Sequence, residues 1–79
     1  MLRSLVRDRI QKIFEHHFMV PAKKLRAKNT LDQLGFSEWD KREMLNYIEQ
    51  EFRIDITANE EPRIQTVYDT ISYVTRKLA

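Results

Sequence analysis

Few side chains in this 79-residue sequence are placed to do chemistry. Ser37 stands three residues before Asp40, a spacing that lets a hydroxyl accept a backbone N–H at the start of a helix and puts carboxylates in the first turn. That is a helix N-terminus rather than a nucleophile beside its base. Ser4 and Ser72 fall in terminal helical patterns and have no comparable context. His16 and His17 are adjacent, so in a helix they diverge by about 100° and lack the i, i+4 geometry of a helical metal site; a favourable interaction with the helix C-terminus is the expected role. Lys23, Lys24, Arg26 and Lys28 can hold phosphates through charge alone. No nucleic-acid motif or run of exposed aromatics accompanies them, so a solvated basic loop is expected, or a grip on the acidic surface of a partner or of a second copy. Cysteine is absent, and with it disulfides and thiolate chemistry. Without a glycine-rich phosphate cradle, a nucleophile–base pair or a metal-ligand set, an enzyme is not expected, nor is a bound metal.

The stretch Leu31–Ile56 organises the rest. Gly35, the sole glycine, marks the place where a tight or left-handed backbone is needed. Beyond it Met44, Leu45, Ile48 and Phe52 recur at helical spacing. Met44 and Leu45 are neighbours, so at most one is expected to point fully inward. Trp39 reads as a lid over one end of the core. After Phe52, Ile54 and Ile56 alternate with charged residues and tuck inward from an extended segment.

A first helix is expected over Leu2–Phe18, with Leu2, Val6, Ile10, Ile13 and Phe14 as its stripe and Leu5 in support. Pro21 stops it. The connection that follows is anchored by Val20, Leu25 and Leu31, has a capping-box spacing at Thr30 and Gln33, and is long enough to cross from one end of a bundle to the other. Asn59 is expected to cap a short turn through Glu60 to Arg63, with Pro62 tolerated in its first turn. Thr66 caps the last helix, Asp69 takes its third position, and Val67, Ile71, Val74 and Leu78 form its stripe. The fold class is therefore all-α: three main helices and one short one.

A chain this short is one domain, 1–79, burying only about 60% of its unfolded surface and leaving no room for a deep catalytic cavity. No apolar run has the length of a membrane span or signal segment, so no membrane partner is expected and the cytoplasm is the default location. Net charge is +2, but it is unevenly spread. Met1–Lys28 holds eight basic and two acidic residues, Asn29–Pro62 three and nine, Arg63–Ala79 three and one.

The run Thr30-Leu31-x-x-Leu34-Gly35, the helix that follows, Glu49-x-Glu51-Phe52-x-Ile54-x-Ile56 and Thr66-Val67-x-Asp69-x-Ile71-x-Tyr73-Val74 together resemble the acyl and peptidyl carrier proteins, from about Val6 to Leu78. The resemblance implies a carrier-type bundle whose second helix meets partner enzymes. In that family the leucine–glycine pair is followed by x-Asp-Ser-Leu, whose serine carries 4′-phosphopantetheine. The corresponding residues here are Phe36, Ser37, Glu38 and Trp39, so Glu38 replaces the attachment serine. No cofactor is expected, unless the neighbouring Ser37 is modified. The implied role is a non-enzymatic interaction module for carrier-dependent synthesis of fatty acids, polyketides or related products. Its contacts would be Glu38, Trp39, Asp40, Glu43, Met44, Glu49 and Glu51. Two alternatives stay open: a working carrier of acyl or aminoacyl groups modified at Ser37, and a basic module for nucleic acid or phosphate, the less expected of the two. The sequence leaves the partner and the oligomeric state unspecified.

Overall fold

The computed structural model describes residues 1–79. Three α-helices carry the architecture: α1 (Leu2–Phe18), α2 (Glu38–Phe52) and α3 (Val67–Leu78). Two three-residue 3₁₀ turns, Ala22–Lys24 and Glu61–Arg63, interrupt the connections, and the second is the expected short helix. There is no sheet, only an isolated antiparallel bridge between Thr30 and Thr66.

Capping fixes where α2 and α3 begin. Ser37 Oγ accepts from Asp40 N–H while Asp40 Oδ2 accepts from Ser37 N–H, and Thr66 and Asp69 repeat the same reciprocal pair at α3. The Thr30–Gln33 pair likewise closes a turn, with both bonds present, although no helix forms there. Gly35 sits just beyond it at φ +88°.

The expected cap at Asn59 does not exist. Glu60 takes over: its Oε1 accepts from Thr57 N–H at 3.2 Å, from Thr57 Oγ1 at 2.9 Å and from the Tyr73 hydroxyl at 2.7 Å, with Lys77 Nζ 3.5 Å away. One carboxylate thus ties the second connection to α3. The Tyr73 hydroxyl first, then the Thr57 N–H and hydroxyl, lower the Glu60 carboxyl from 4.5 to about 2. Burial, and then the same carboxylate, raise the Tyr73 phenol well above its usual value. Because the folded value of Glu60 is the depressed one, its contribution is complete above about pH 4.5 and is lost as pH falls through about 2. The thermal midpoint of the unaltered chain is expected to fall more steeply across that window than that of Glu60→Gln; parallel curves would contradict this role.

Helix ends without glycine are the other local feature. Met19 and Arg53 hold left-handed backbone at φ 56° and 54°, and the N–H of the next residue reaches back to Phe14 O and Glu49 O. Left-handed backbone costs a non-glycine residue about 1–2 kcal/mol. Met19→Gly and Arg53→Gly are each expected to raise stability in urea melts by about 0.5–1 kcal/mol. No change would mean that Met19 or Arg53 makes compensating contacts.

The core is one cluster to which all three helices contribute. Val6, Ile10, Ile13 and Phe14 face inward as expected, but Leu2, Leu5 and Leu78 do not, being 39%, 54% and 39% exposed. They lie within the first or last turns of helices that overhang the cluster, so their apolar positions meet solvent. Met44 and Leu45 are both buried, but only Met44 is completely so. Met44 faces the interior while Leu45 lies under Ala58, Pro62 and Ile64 in a groove on the flank of α2. Ile54 and Ile56 are half-buried against the cluster.

The first connection does not cross the bundle. Phe18, the last residue of α1, packs its ring 4.9 Å from that of Phe36, just before α2, so the chain returns to the end it left. On the way, Ala27 O and Asn29 O accept from Tyr68 and Val67 N–H, and Leu31 N–H donates to Gln65 O, which docks the loop on the start of α3. The end-to-end crossing belongs to the second connection. It leaves α2 at Ile54, whose N–H bonds Glu49 O, and by Ile64 and Gln65 it lines one groove with Glu38 and Lys41 from the other end of α2.

Candidate functional site

The start of α2 gathers most of the residues that the sequence singled out. Ser37 is the N-cap, exposed, with Oγ 3.1 Å from the Asp40 nitrogen. Glu38 is the first helical residue and its side chain is 92% exposed. Its Oε2 lies 3.0 Å from Lys41 Nζ, which also reaches Asp32 Oδ1 at 2.7 Å. The hydrogen bond that Lys41 donates to Asp32, then that to Glu38, raise the Lys41 pKa above its usual value. Lys41 therefore joins the turn before Gly35 to the first turn of α2. The sequence does not announce this contact because eight residues and a loop separate Asp32 from Lys41.

Behind Glu38 a groove of about 540 Å³ runs between α2 and the second connection, with Leu31, Leu45 and Ile64 among its lining. Trp39 does not cover it. The indole is 69% exposed and belongs to no part of the core, so the expected lid is instead an outward-facing aromatic.

The seven expected contact residues separate into distinct environments. Met44 is completely buried and is a core residue, which removes it from any surface. Asp40 is held in the cap, and Glu49 Oε2 accepts from Ile56 N–H at 2.8 Å, anchoring the extended segment. Glu51 pairs with Arg9 at 3.3 Å across an exposed surface, a contact of little energetic weight. Glu38, Trp39 and Glu43 remain on the N-terminal half of α2, with Glu43 half-buried and in no ion pair.

Both histidines fall in the last turn of α1, as expected. His17 lies flat on Tyr47, with ring centroids 3.8 Å apart and planes 15° from parallel, joining the end of α1 to the middle of α2. No group of three or more histidine, cysteine or carboxylate side chains is placed to hold a metal ion. Lys23, Lys24, Arg26 and Lys28 are exposed and in no ion pair.

A three-helix bundle with a long docked first connection, a crossing second connection and a groove beside the start of α2 defines a carrier-type module. The comparisons agree. The chain is 32% identical over 77 residues to acyl carrier proteins from two strains of Caulobacter vibrioides, covering 96% of this chain and 99% of each relative. It is 35% identical over 68 residues to the acyl carrier protein of Zymomonas mobilis, 85% of this chain and 87% of that one. Among solved structures, the acyl carrier protein of Thermotoga maritima superposes with a TM-score of 0.85 at 27% identity, over 99% of this chain and 92% of that one. No protein-family model matches. The chain belongs to the acyl carrier protein family, and as a carrier-type protein it is not itself an enzyme.

Acyl carrier proteins carry 4′-phosphopantetheine. The first residue of α2 does not fit that group, because Glu38 offers a carboxylate and no hydroxyl. No helix is long and apolar enough to cross a membrane.

Proposed function

We propose that this protein is a carrier-like interaction module without a phosphopantetheine arm, acting in the cytoplasm beside enzymes of fatty acid, polyketide or related carrier-dependent synthesis. One observation carries the reading: at the start of α2, where the family places its serine, stands an exposed carboxylate held by Lys41. A carboxylate attacking the phosphorus of coenzyme A would give a mixed anhydride that water reopens, so no durable arm forms there. The same charge can stand in for the phosphodiester that a partner would meet on a loaded carrier. Trp39 adds an exposed aromatic surface beside it, a residue type that concentrates binding energy at protein interfaces. Ser37 lies one residue away, outside the helix, and its oxygen serves the cap by accepting from Asp40 N–H.

The test is incubation with coenzyme A and a promiscuous phosphopantetheinyl transferase, followed by intact mass. No mass gain is expected. A single arm that disappears in Ser37→Ala would instead establish a working carrier modified at Ser37. Retention of a carrier-dependent enzyme by the unaltered chain, weakened in Glu38→Ala and Trp39→Ala, would support the docking surface.

A further inference from the structure

The positive charge of the first third of the chain has a definite location. Lys23, Lys24, Arg26 and Lys28 lie on a connection with no carboxylate between Met19 and Leu31. That connection is fastened to α3 by Tyr68 N–H donating to Ala27 O. Arg3, from α1, lies over the Tyr68 ring at 4.8 Å and donates to Ser72 Oγ at 3.0 Å, which brings the start of α1 to the same surface, with Arg7 one turn on. All six cations are exposed and none is in an ion pair. Around the start of α2 the balance reverses: Asp32, Glu38 and Glu61 share a groove with Lys41 and Arg42, and Asp40 and Glu43 add to them from the first two turns of the helix.

We infer that these two surfaces bind each other between molecules, so that the basic surface of one copy seats the acidic start of α2 of the next. The two patches do not neutralise one another within the chain, since the only ion pairs are Arg9–Glu51, Lys41 with Asp32 and Glu38, and Lys77–Glu60. Each is therefore open to a complement, and every copy carries that complement at its own concentration. Tyr68 is 54% exposed, but Arg3 lies over its ring, and a single ring is not the row of aromatics on which successive bases stack. A long polyanion laid on a molecule only 28 × 28 × 21 Å would also meet the acidic surface, whereas a second copy meets only the matching one. Contact between two different patches is heterologous, so each copy keeps one of each free and association is open-ended. It would cover Trp39 and Glu38, and hence compete with any enzyme that docks there.

Sedimentation equilibrium tests this directly. At ionic strength of about 0.01 M, where the Debye length is about 30 Å, the weight-average mass is expected to rise with concentration above the 9.6 kDa of one chain. At about 1 M salt, where that length is about 3 Å, it returns to one chain. A basic-surface variant (Lys23→Gln, Lys24→Gln, Arg26→Gln, Lys28→Gln) and an acidic-surface variant (Glu38→Gln, Glu43→Gln, Glu61→Gln) should each stay monomeric alone, with helical circular dichroism intact. Mixed, they should form a one-to-one pair, each supplying the surface the other lacks. An unaltered chain that remains monomeric at low salt overturns the inference, as does a mixture that does not pair. Single-stranded oligonucleotide bound by the unaltered chain while that mixture stays apart would assign the basic surface to nucleic acid instead. None of these outcomes depends on whether an arm can be attached.

Discussion

Glu38→Ser is expected to accept one phosphopantetheine arm in the presence of coenzyme A and a promiscuous transferase, where the unaltered chain accepts none. The substitution places a hydroxyl on the first residue of α2, and it leaves the cap untouched because Ser37 and Asp40 supply both capping bonds. Lys41 loses one partner but keeps Asp32 at 2.7 Å, so the turn before Gly35 stays joined to the helix. The side chain being replaced is 92% exposed, so nothing in the core has to move. The gain is all-or-none and appears in an intact mass spectrum. Trp39 is the next residue of α2, and Glu38→Ser with Trp39→Leu separates the nucleophile from the bulk beside it. If the double variant takes up the arm and the single one does not, the indole obstructs the transferase. Should neither accept it, the missing hydroxyl is not what sets this chain apart, and the proposed function loses its main support.

Phe14→Ala is expected to remove most of the stability. Phe14 is completely buried, with Phe36 at 5.3 Å and Phe18 at 6.4 Å between ring centroids. It joins α1 to the segment leading into α2, so its loss opens a cavity where two elements meet. Replacing a buried phenylalanine by alanine costs about 3–5 kcal/mol. A domain of this length has about 4–12 kcal/mol in all, at about 0.05–0.15 kcal/mol per residue. Urea titration followed by helical circular dichroism should show the midpoint falling far below that of the unaltered chain. A loss under about 1 kcal/mol would mean that the ring cluster can collapse and refill the space.

The sequence disclosed what is encoded locally. Ser37 with Asp40 and Thr66 with Asp69 announce helix starts because both partners of each cap lie within four consecutive residues. Val6, Ile10, Ile13 and Phe14 are legible because a helix repeats its inward face. Helix ends were harder to read, since a left-handed residue is inferred from glycine and here the positions belong to Met19 and Arg53. Phe36 is buried in a loop that has no period to reveal it. The Asp32–Lys41 and Tyr73–Glu60 contacts join residues that only the folded chain brings together. For the same reason the course of the first connection is not legible: its length suggests that it crosses the bundle, while the placement of Phe18 against Phe36 shows that it does not. At the site, a carboxylate at the first position of α2 is readable residue by residue, whereas the outward turn of Trp39 requires the fold.

The chain contains a single tryptophan, and that indole stands in water next to Glu38. Its emission should already be red-shifted in the native monomer, so denaturation will change its wavelength little and the melting of the interior will need another probe. Any molecule that covers this corner will shift the light toward the blue, which gives the protein a built-in optical gauge of occupancy that requires no label.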